Sequence, residues 1–347
     1  MFITDNTPLS RKRLEQLLAN ADGARIGLIG DMCLDMYWLA DMRLSELSRE
    51  TPHYPLPVVQ ERCQPGGAGN AACNIAALKP GTFRAIGLTG EDWRGELLRK
   101  ALADQGIGGE YIVRDASVTT NAYIKPLRRG ISDVTYEDPR LDFENRAPIC
   151  AEAERKVLAA LDEAAEGLDV ICVSDQMLYG CITPAVRARL SALGREGKTV
   201  IVDSRHHAAD YENVTVKPNE VEIVRAFADG APRSLDGLAG LAAQVSLRND
   251  RLTLTTLGEH GCFVAVDGRV TRVPACAVEP PIDFCGAGDT FLAGFGTMIA
   301  AGASPVEAAK AANLCAAVTI RKTGTTGTAS REEVLAAYDL YMKEEHP

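Results

Sequence analysis

The chain has 347 residues, of which 46% are hydrophobic and 24% charged, and its formal net charge is −10. This length suffices for one large α/β domain, or for a core with a small appendage. The negative net charge argues against nucleic acid or an anionic membrane as a partner, although it does not exclude a local basic pocket. The ten cysteines form no C-x-x-C pair, which disfavours zinc ribbons and thioredoxin-type sites and fits a reducing cytoplasm. We see neither a signal-peptide pattern nor an apolar run of membrane-spanning length.

Strand and helix patterns alternate along most of the chain. The expected strands are 24–30, 83–88, 170–173, 199–202, 252–257 and 261–266. The expected helices are 11–20 (with Ser10 as N-cap), 70–78, 93–105, 153–167, 184–197, 220–228, 290–301, 305–319 and 331–343. The alternation after residue 150 predicts parallel βαβ units in a three-layer sandwich.

Two stretches, 36–62 and 116–143, interrupt this alternation. The first has few helix signals and then passes through P-H-Y-P-L-P-V-V, and the second holds β-prone segments such as T-T-N-A-Y-I. We interpret both as strands of a small separate sheet that forms a lid, with 1–35, 63–115 and 144–347 as the core. The alternative is two long surface loops, but loops of this length are uncommon inside a compact domain.

The most informative segment is D-F-C-G-A-G-D-T at 283–290, which leads directly into a helical pattern. Its glycines allow a tight turn that brings backbone N–H groups close to a ligand. A helix N-terminus adds partial positive charge at the same place, so the segment favours an anion such as phosphate. The carboxylate of Asp289 then suits proton removal from a hydroxyl that attacks phosphorus. A tight turn with Asp289 as the helix N-cap accounts for the same letters.

A second glycine turn, G-G-A-G-N at 66–70, also opens a helix. Its glycines would let a polyhydroxylated ligand approach the backbone, and Asn70 would hydrogen-bond a hydroxyl, unless Asn70 only caps the helix. Asp31 and Asp35 follow the first strand, at the end where open α/β sheets bind ligands. Carboxylates there can accept hydrogen bonds from sugar hydroxyls, although Asp31 could also simply end the strand in solvent.

Asn219 and Glu222, in K-P-N-E-V-E, share one face if a helix begins there. An amide and a carboxylate on one face can hold a hydrated Mg²⁺ near nucleotide phosphates, and an ordinary capping arrangement explains the pair equally well.

Three other patterns do not predict a binding site. The triplet G-K-T at 197–199 lacks the earlier glycine of a P-loop, no G-x-G-x-x-G follows the first strand, and the segment 206–210 with two histidines is interpreted as a solvated loop.

Together these motifs resemble the PfkB (ribokinase-like) family of carbohydrate kinases, from about residue 24 to 335. The turn at 66–70 is similar to the first family signature, and D-F-C-G-A-G-D-T-F-L-A-G-F is similar to the second. N-x-x-E and T-L-G-E-H-G at 256–261 follow in the family's order. The resemblance implies an α/β fold, with a mostly parallel central sheet between helix layers (α/β/α) and a small β-sheet lid that often joins dimers.

Carried over by position, the resemblance implies ATP and Mg²⁺ as cofactors and a role for each motif. Asp289 would be the general base, and the backbone of Gly286, Ala287 and Gly288 the anion hole. The implied sugar-side residues are Asp35, Gly66, Gly67 and Asn70, to which we add Asp31 for its place after the first strand and Arg140 as a basic residue of the lid. The nucleotide-side residues are Asn219, Gly258, Gly261 and Asn313, with Glu222 and Asn219 on Mg²⁺ through water. Some relatives also bind a monovalent cation such as K⁺ near the Asp283 loop and the 322–325 turn.

Within the family, four strings resemble heptose 7-phosphate kinase domains: D-M-Y-W at 35–38, P-L-P-V-V at 55–59, R-L-D-F-E at 140–144 and K-T-G-T-T at 322–326. Those enzymes usually have Arg where this chain has Met36, and the proline segment carries two extra residues. If that Arg holds the sugar phosphate, Lys125, Arg128, Arg129 and Arg140 could supply the charge instead; the alternative is a solvated basic face. The bifunctional relatives carry a further nucleotidyltransferase domain, and a sequence ending at Pro347 leads us to expect kinase activity alone.

We therefore expect ATP-dependent phosphorylation of a sugar or sugar-phosphate hydroxyl by a cytoplasmic homodimer joined through the lid. The alternatives are another kinase of the same family, acting on ribose, fructose or a nucleoside, and a non-catalytic sugar or nucleotide sensor on the same fold. A sensor need not retain the base, and this chain has Asp289 with its glycines.

Overall fold

The computed structural model describes residues 2–130, 132, 134–230 and 232–341. Its strands are β1 (Ile3–Thr4), β2 (Arg25–Gly30), β3 (Met32–Asp41), β4 (Val58–Gly67), β5 (Thr82–Thr89), β6 (Tyr111–Arg114), β7 (Asn121–Arg129), β8 (Thr135–Glu137), β9 (Leu141–Phe143), β10 (Val170–Asp175), β11 (Thr199–Ser204), β12 (Thr215–Val216), β13 (Thr253–Thr256), β14 (Cys262–Val266) and β15 (Arg269–Val273). Its α-helices are α1 (Arg11–Asn20), α2 (Ala68–Ala77), α3 (Trp93–Asp104), α4 (Ala151–Ala165), α5 (Pro184–Arg195), α6 (Glu220–Phe227), α7 (Leu235–Asn249), α8 (Ala287–Ala300), α9 (Pro305–Thr319) and α10 (Arg331–Tyr341).

The central sheet has the strand order β1-β15-β14-β13-β12-β11-β10-β2-β5-β6. Seven neighbouring strands, from β13 to β6, pair in parallel. Side chains alternate across these strands: Ile26 and Cys172 belong to a core beneath α1, α2, α8 and α9, whereas Ile29 and Val173 belong to a core beneath α4, α5 and α7. Two buried cores on opposite sheet faces give the predicted three-layer α/β/α fold.

The prediction of parallel units throughout the second half is wrong at one edge. β14 runs antiparallel to both β13 and β15. Only residues 257–261, which include the turn Gly258–His260, join β13 to β14, and a parallel connection needs a crossover of a dozen or more residues. β15 and the helix α7 were not predicted. Two glycines in the first turns of α7 weaken its helical signal.

The second sheet is formed by β3, β4, β7, β8 and β9 and packs beside the first turns of the core helices. β3 pairs antiparallel with β4 and parallel with β7, and both β8 and β9 pair with β7. Its strands β3 and β4 begin and end inside the segments assigned above to the core, at Met32 and Gly67. The antiparallel pair of β3 and β4 therefore starts at the end of β2 and ends at the start of α2, so β4 leads straight into the glycine turn at 66–70.

Several predicted boundaries differ by a few residues from those observed. α2 begins at Ala68 rather than at 70, and α8 begins at Ala287 rather than at 290. Two residues of the helix predicted over 331–343 lie outside the described part of the chain. In that part, no helix combines the length and the apolar character needed to cross a membrane.

Candidate active site

A cavity of about 750 Å³ opens where the parallel strands end and the second sheet meets the core. The carboxyl ends of β10 to β13 reach it through Gln176, Asp203, Lys217 and Thr256, as is general for open α/β sheets. The predicted residues that line it are Asp35, Gly67, Asn70, Arg140, Asn219, Glu222, Gly258, Gly261, Gly286, Ala287, Gly288, Asp289 and Asn313. Gly66 and Asp31 do not line it.

The N-terminus of α8 forms one wall of this cavity. Gly286 is the N-cap, with φ of 79°, a left-handed conformation that favours glycine. The N–H of Ala287 donates to the carbonyl of Phe284 at 3.1 Å. The N–H groups of Gly286, Gly288 and Asp289 have no acceptor among the described residues. Free N–H groups at a helix N-terminus form an anion site, although Ala287 contributes shape rather than a donor to it.

Asp289 lies in the first turn of α8 and is not its N-cap. Its Oδ2 accepts a hydrogen bond of 2.9 Å from Nδ2 of Asn70, in the first turn of α2. Asn70 therefore does not cap α2, whose N-cap is Gly67. Burial raises the pKa of Asp289 to about 7, and the Asn70 hydrogen bond acts in the opposite direction. A carboxylate with this pKa can act as a general base near neutral pH.

Beneath the anion site lies a buried ion pair that the sequence patterns did not reveal. Lys217 Nζ and Asp203 Oδ2 are 2.9 Å apart, and both side chains are almost fully buried. A Cβ at Gly288 would lie 3.9 Å from Lys217 Nζ and 4.0 Å from Asp203 Oδ2. Burial lowers the pKa of Lys217, but the charge and hydrogen bond of Asp203 outweigh that effect, so the pKa is raised and the residue stays cationic. A sequence signal for Asp203 did exist, because it directly follows the apolar residues V-I-V at 200–202. Asp31 was selected as a candidate for the same reason, that it follows a strand.

On the sugar side, Asp35 projects from β3 into the cavity. Burial raises the pKa of Asp35, and the charges of Lys125 and Arg140 act in the opposite direction. Lys125 Nζ lies 4.0 Å from Oδ2 of Asp35. Lys125 also donates to the hydroxyl of Tyr37 at 3.2 Å. A Cβ at Gly66 would fall 2.8 Å from the Asp35 carboxylate. Gly66 therefore makes room for this carboxylate and does not itself reach the cavity.

Arg140 reaches the cavity from the loop before β9. Its guanidinium binds both oxygens of Asp142, at 2.6 and 2.7 Å, and lies 4.3 Å from the ring centroid of Tyr123. Much of its charge is thus already balanced. Met36, where the resemblance expects Arg, belongs to the buried core and does not line the cavity.

The structure does not bring Asp31 to the sugar side. Its Oδ2 accepts from the N–H groups of Gln176 and Met177 at 2.9 and 2.8 Å, and its Oδ1 accepts from Cys181 at 2.8 Å. It is buried rather than ending the strand in solvent. Burial, together with the charge of Asp175, raises its pKa to about 6. Asp31 therefore holds the 176–181 loop that borders the cavity, and direct contact with a sugar is not supported.

On the nucleotide side, Asn219 and Glu222 form the capping box of α6. Asn219 Oδ1 accepts from the N–H of Glu222, and Glu222 Oε2 accepts from the N–H of Asn219, both at 2.9 Å. The other oxygen of Glu222 has no donor among the described residues and remains available. Asn313 donates to the carbonyl of Pro274 at 2.9 Å. Gly261, with φ of 87°, has no room for a side chain against Val273 and the residues after it.

Strand β4 holds the loop that backs the anion site. Gln64 Nε2 donates to Thr326 Oγ1 at 2.7 Å, and Arg62 donates to the carbonyl of Gly324 at 2.7 Å. Asp283 joins this loop to the segment before α8, since its carboxylate accepts from the N–H groups of Cys285 and Gly324 at 3.0 and 3.1 Å. The second sheet is therefore linked to the anion site through hydrogen bonds.

Three features define the chemistry of this cavity: a helix N-terminus with free N–H groups, a buried carboxylate with a pKa near 7, and a buried lysine. They are the parts of an enzyme that transfers a phosphoryl group to a hydroxyl. The family model described as "pfkB family carbohydrate kinase" matches residues 33–332. The chain belongs to this family, and the expected class, a phosphotransferase that acts on a sugar hydroxyl, is confirmed.

Curated relatives are similar along most of the chain. The chain is 33% identical over 334 residues to the bifunctional protein HldE of Geobacter metallireducens, covering 95% of this chain and 66% of that protein. It is 35% identical over 314 residues to HldE of Caulobacter vibrioides, covering 87% of this chain and 61% of that protein. The chain thus spans less than two thirds of the length of these relatives.

Solved structures share the fold. Phosphofructokinase-2 from Escherichia coli in complex with fructose-6-phosphate matches with a TM-score of 0.70 and 19% identity, over 92% of this chain and 100% of that one. Ribokinase of Arabidopsis thaliana complexed with ribose and ATP matches with a TM-score of 0.66 and 19% identity, over 91% and 98%. The ribokinase-like fold expected from the sequence is confirmed.

Proposed function

We propose that this chain transfers the γ-phosphate of ATP to a hydroxyl of a sugar phosphate, with heptose 7-phosphate as the preferred acceptor. The observation that carries the reaction is Asp289 beside the free N–H groups of α8. Four local strings that resemble heptose 7-phosphate kinase domains, and the identity to HldE proteins, support the acceptor. Family membership supports ATP as the donor.

In the proposed reaction, Asp289 takes the proton of the acceptor hydroxyl as its oxygen attacks the γ-phosphorus in line. The proton moves to the carboxylate, the new P–O bond forms, and ADP leaves with the electron pair of the broken bond. The N–H groups of Gly286, Gly288 and Asp289 and the charge of Lys217 face the negative charge that develops on the phosphoryl oxygens. Asp35 and Asn70 orient the acceptor beside Asp289.

The residues present fit a Mg²⁺ ion that is held mainly by nucleotide phosphates and water. The described part of the chain contains no group of three or more His, Cys, Asp or Glu residues arranged as a metal site. Glu222 lines the cavity with one uncommitted carboxylate oxygen, which suits a water-mediated contact. When bound, Mg²⁺ would neutralise charge on the transferred phosphoryl group.

We extend the proposal to a monovalent cation between the Asp283 loop and the 322–325 turn. The carboxylate of Asp283 ties these two segments together, since it accepts from the N–H groups of Cys285 and Gly324. Phosphofructokinase-2 from Escherichia coli, a structural neighbour at 20% identity, was solved in complex with potassium. Replacing K⁺ by a large organic cation in the assay should lower turnover if the site is used.

We also propose a cytoplasmic homodimer that forms through the second sheet, which would then act as the lid. β4 is an edge strand of this sheet, and its first residues, Val58 and Val59, are 45% and 48% exposed. Leu44, Leu47, Tyr54 and Leu56 lie exposed nearby in sequence. An edge strand whose first residues are apolar and exposed can pair with a second copy. All ten cysteines are unpaired, as expected in a reducing compartment. Light scattering of Val59→Lys against wild type tests the dimer.

A coupled ADP-release assay with heptose 7-phosphate, fructose 6-phosphate, fructose, ribose and a nucleoside tests the reaction and its acceptor. Asp289→Asn should lower turnover by about 10²–10⁴-fold, the usual contribution of a general base, and leave ATP binding intact. The same variant should unfold at no lower temperature than wild type, because a buried ionised carboxylate costs free energy at neutral pH. Near-normal turnover of Asp289→Asn would reject the assignment of the base.

A further inference from the structure

A second cavity, of about 400 Å³, adjoins the first on the side of β7. Tyr123, Gln176, Met177 and Arg205 line both cavities. The two cavities are therefore neighbours that share these four side chains, two of which are in contact, since the Tyr123 hydroxyl donates to Met177 Sδ at 3.3 Å. The reaction described above uses the anion site and the sugar side but leaves this space without an occupant.

The second cavity is lined by more positive than negative charge. Arg146, Arg205 and His206 line it, and its one carboxylate among the described residues, that of Glu144, accepts a hydrogen bond of 2.9 Å from Tyr123. Burial, with the charges of Arg225 and Arg205, lowers the pKa of His206. His206 is then neutral near pH 7 and can donate a hydrogen bond without adding charge.

The two arginines of this cavity differ from Lys125, Arg128 and Arg140 of the second sheet; Arg129 has no carboxylate partner among the described residues either, but it lines neither cavity. Arg128 pairs with Asp138 at 3.0 Å, Arg140 with Asp142, and Lys125 lies beside Asp35. By contrast, the guanidinium groups of Arg205 and Arg146 have no carboxylate within 4.0 Å in the part of the chain that the structure describes. A paired cation offers little net charge to a ligand, whereas an unpaired one retains its full charge and its five N–H donors.

The loop between the two cavities is held firmly in place. Gln176 and Met177, which line both, are fixed by the carboxylate of Asp31 through their N–H groups. The N–H of Arg205 donates to the carbonyl of Asp175 at 3.0 Å, so the start of this arginine's loop is fixed to the same strand end. The backbone of the segment that lines both cavities is thus fixed on rigid elements.

We propose that the second cavity binds the phosphate that a sugar-phosphate acceptor already carries, with Arg205 and Arg146 as its cationic contacts. This inference rests on the proposed kinase function and deepens it, since it assigns the acceptor class to a site. Guanidinium groups match phosphate oxygens in bidentate geometry, which favours a phosphate dianion over a neutral hydroxymethyl group. The acceptor would span the two cavities, with its phosphate at one end and the reacting hydroxyl at the other.

The test compares phosphorylated and plain acceptors with matched variants. Heptose 7-phosphate and fructose 6-phosphate are assayed beside heptose and fructose in wild type, Arg205→Gln, Arg146→Gln and the control Arg128→Gln. Loss of one charge-assisted contact should raise the KM for the sugar phosphates about 10- to 100-fold in Arg205→Gln. The KM for ATP, the turnover number and the constants for plain sugars should stay within about two-fold, as should every constant of Arg128→Gln.

Several outcomes would overturn the inference. Equal losses for phosphorylated and plain sugars would mean that Arg205 shapes the cavity without binding a phosphate. A raised KM for ATP alone would assign Arg205 to the nucleotide, since it also lines the first cavity. A wild-type enzyme that prefers plain sugars would refute the subsite while leaving the kinase function intact. If no acceptor is phosphorylated, the proposed function fails, and calorimetric titration of heptose 7-phosphate into wild type and Arg205→Gln still decides whether the phosphate binds there.

Discussion

Asn70 and Asp289 stand in the first turns of two different helices, and their side chains meet in a hydrogen bond of 2.9 Å. Asn74, one turn along α2, donates to the carbonyl of Asn70 at 3.1 Å and accepts from the N–H of Ala329. The base is therefore positioned by α2, which follows the glycine turn on the sugar side. The residue proposed to orient the acceptor also stabilises the ionised form of Asp289.

This relationship predicts a pH dependence. Asp289 must be ionised to accept a proton, and its pKa is about 7, so kcat/KM should rise with pH through 7 and level off above it. The Asn70 hydrogen bond lowers this pKa. Asn70→Ala should therefore move the rising limb to higher pH. An unmoved limb in the pH profile of that variant would show that Asn70 does not tune the base.

Gly286 offers a steric test of the anion site. Its φ of 79° disfavours any other residue, and a Cβ there would lie 2.5 Å from Nδ2 of Asn70. Gly302, at the other end of α8, has φ of 84° and open space around it. Both Gly286→Ala and Gly302→Ala should lose about 1 kcal/mol or more of unfolding free energy through backbone strain. Only Gly286→Ala should also lose turnover, and equal turnover in the two variants would contradict the role of Gly286.

Some parts of this site could be predicted from the sequence because they lie within one short segment. The turn and helix at 283–301 carry their own signals, since glycine, acid and apolar periodicity are adjacent. The Lys217–Asp203 pair joins a residue of β11 to the residue that directly follows β12. β12 has only two residues, too few for a periodic pattern. The direction of a side chain could not be predicted from the sequence either. Asp31 and Asp35 both follow the first strand, but only Asp35 faces the cavity.

The Lys217–Asp203 pair predicts opposite shifts in the titration of Asp289. The charge of Asp203 raises the pKa of Asp289, and that of Lys217 lowers it. Asp203→Asn should move the rising limb of the pH profile to lower pH, and Lys217→Met should move it to higher pH. Lys217→Met should also lower the unfolding free energy by about 3–5 kcal/mol, because it leaves a buried carboxylate unpaired. Shifts of both variants in the same direction would exclude direct electrostatic coupling to Asp289.

Asp31 should act through the loop that it holds. Its two oxygens accept three backbone N–H groups, whereas Asn offers one acceptor oxygen and turns a donor toward the remaining N–H groups. Asp31→Asn should therefore speed hydrogen exchange at Gln176, Met177 and Cys181 and raise the KM for the sugar phosphate more than it lowers kcat. Asp115→Asn is the matched control. The Asp115 carboxylate also accepts hydrogen bonds, from the N–H of Ser117 and from Lys156, but it lies outside both cavities. A turnover number that collapses while exchange stays unchanged would instead place Asp31 in the chemical step.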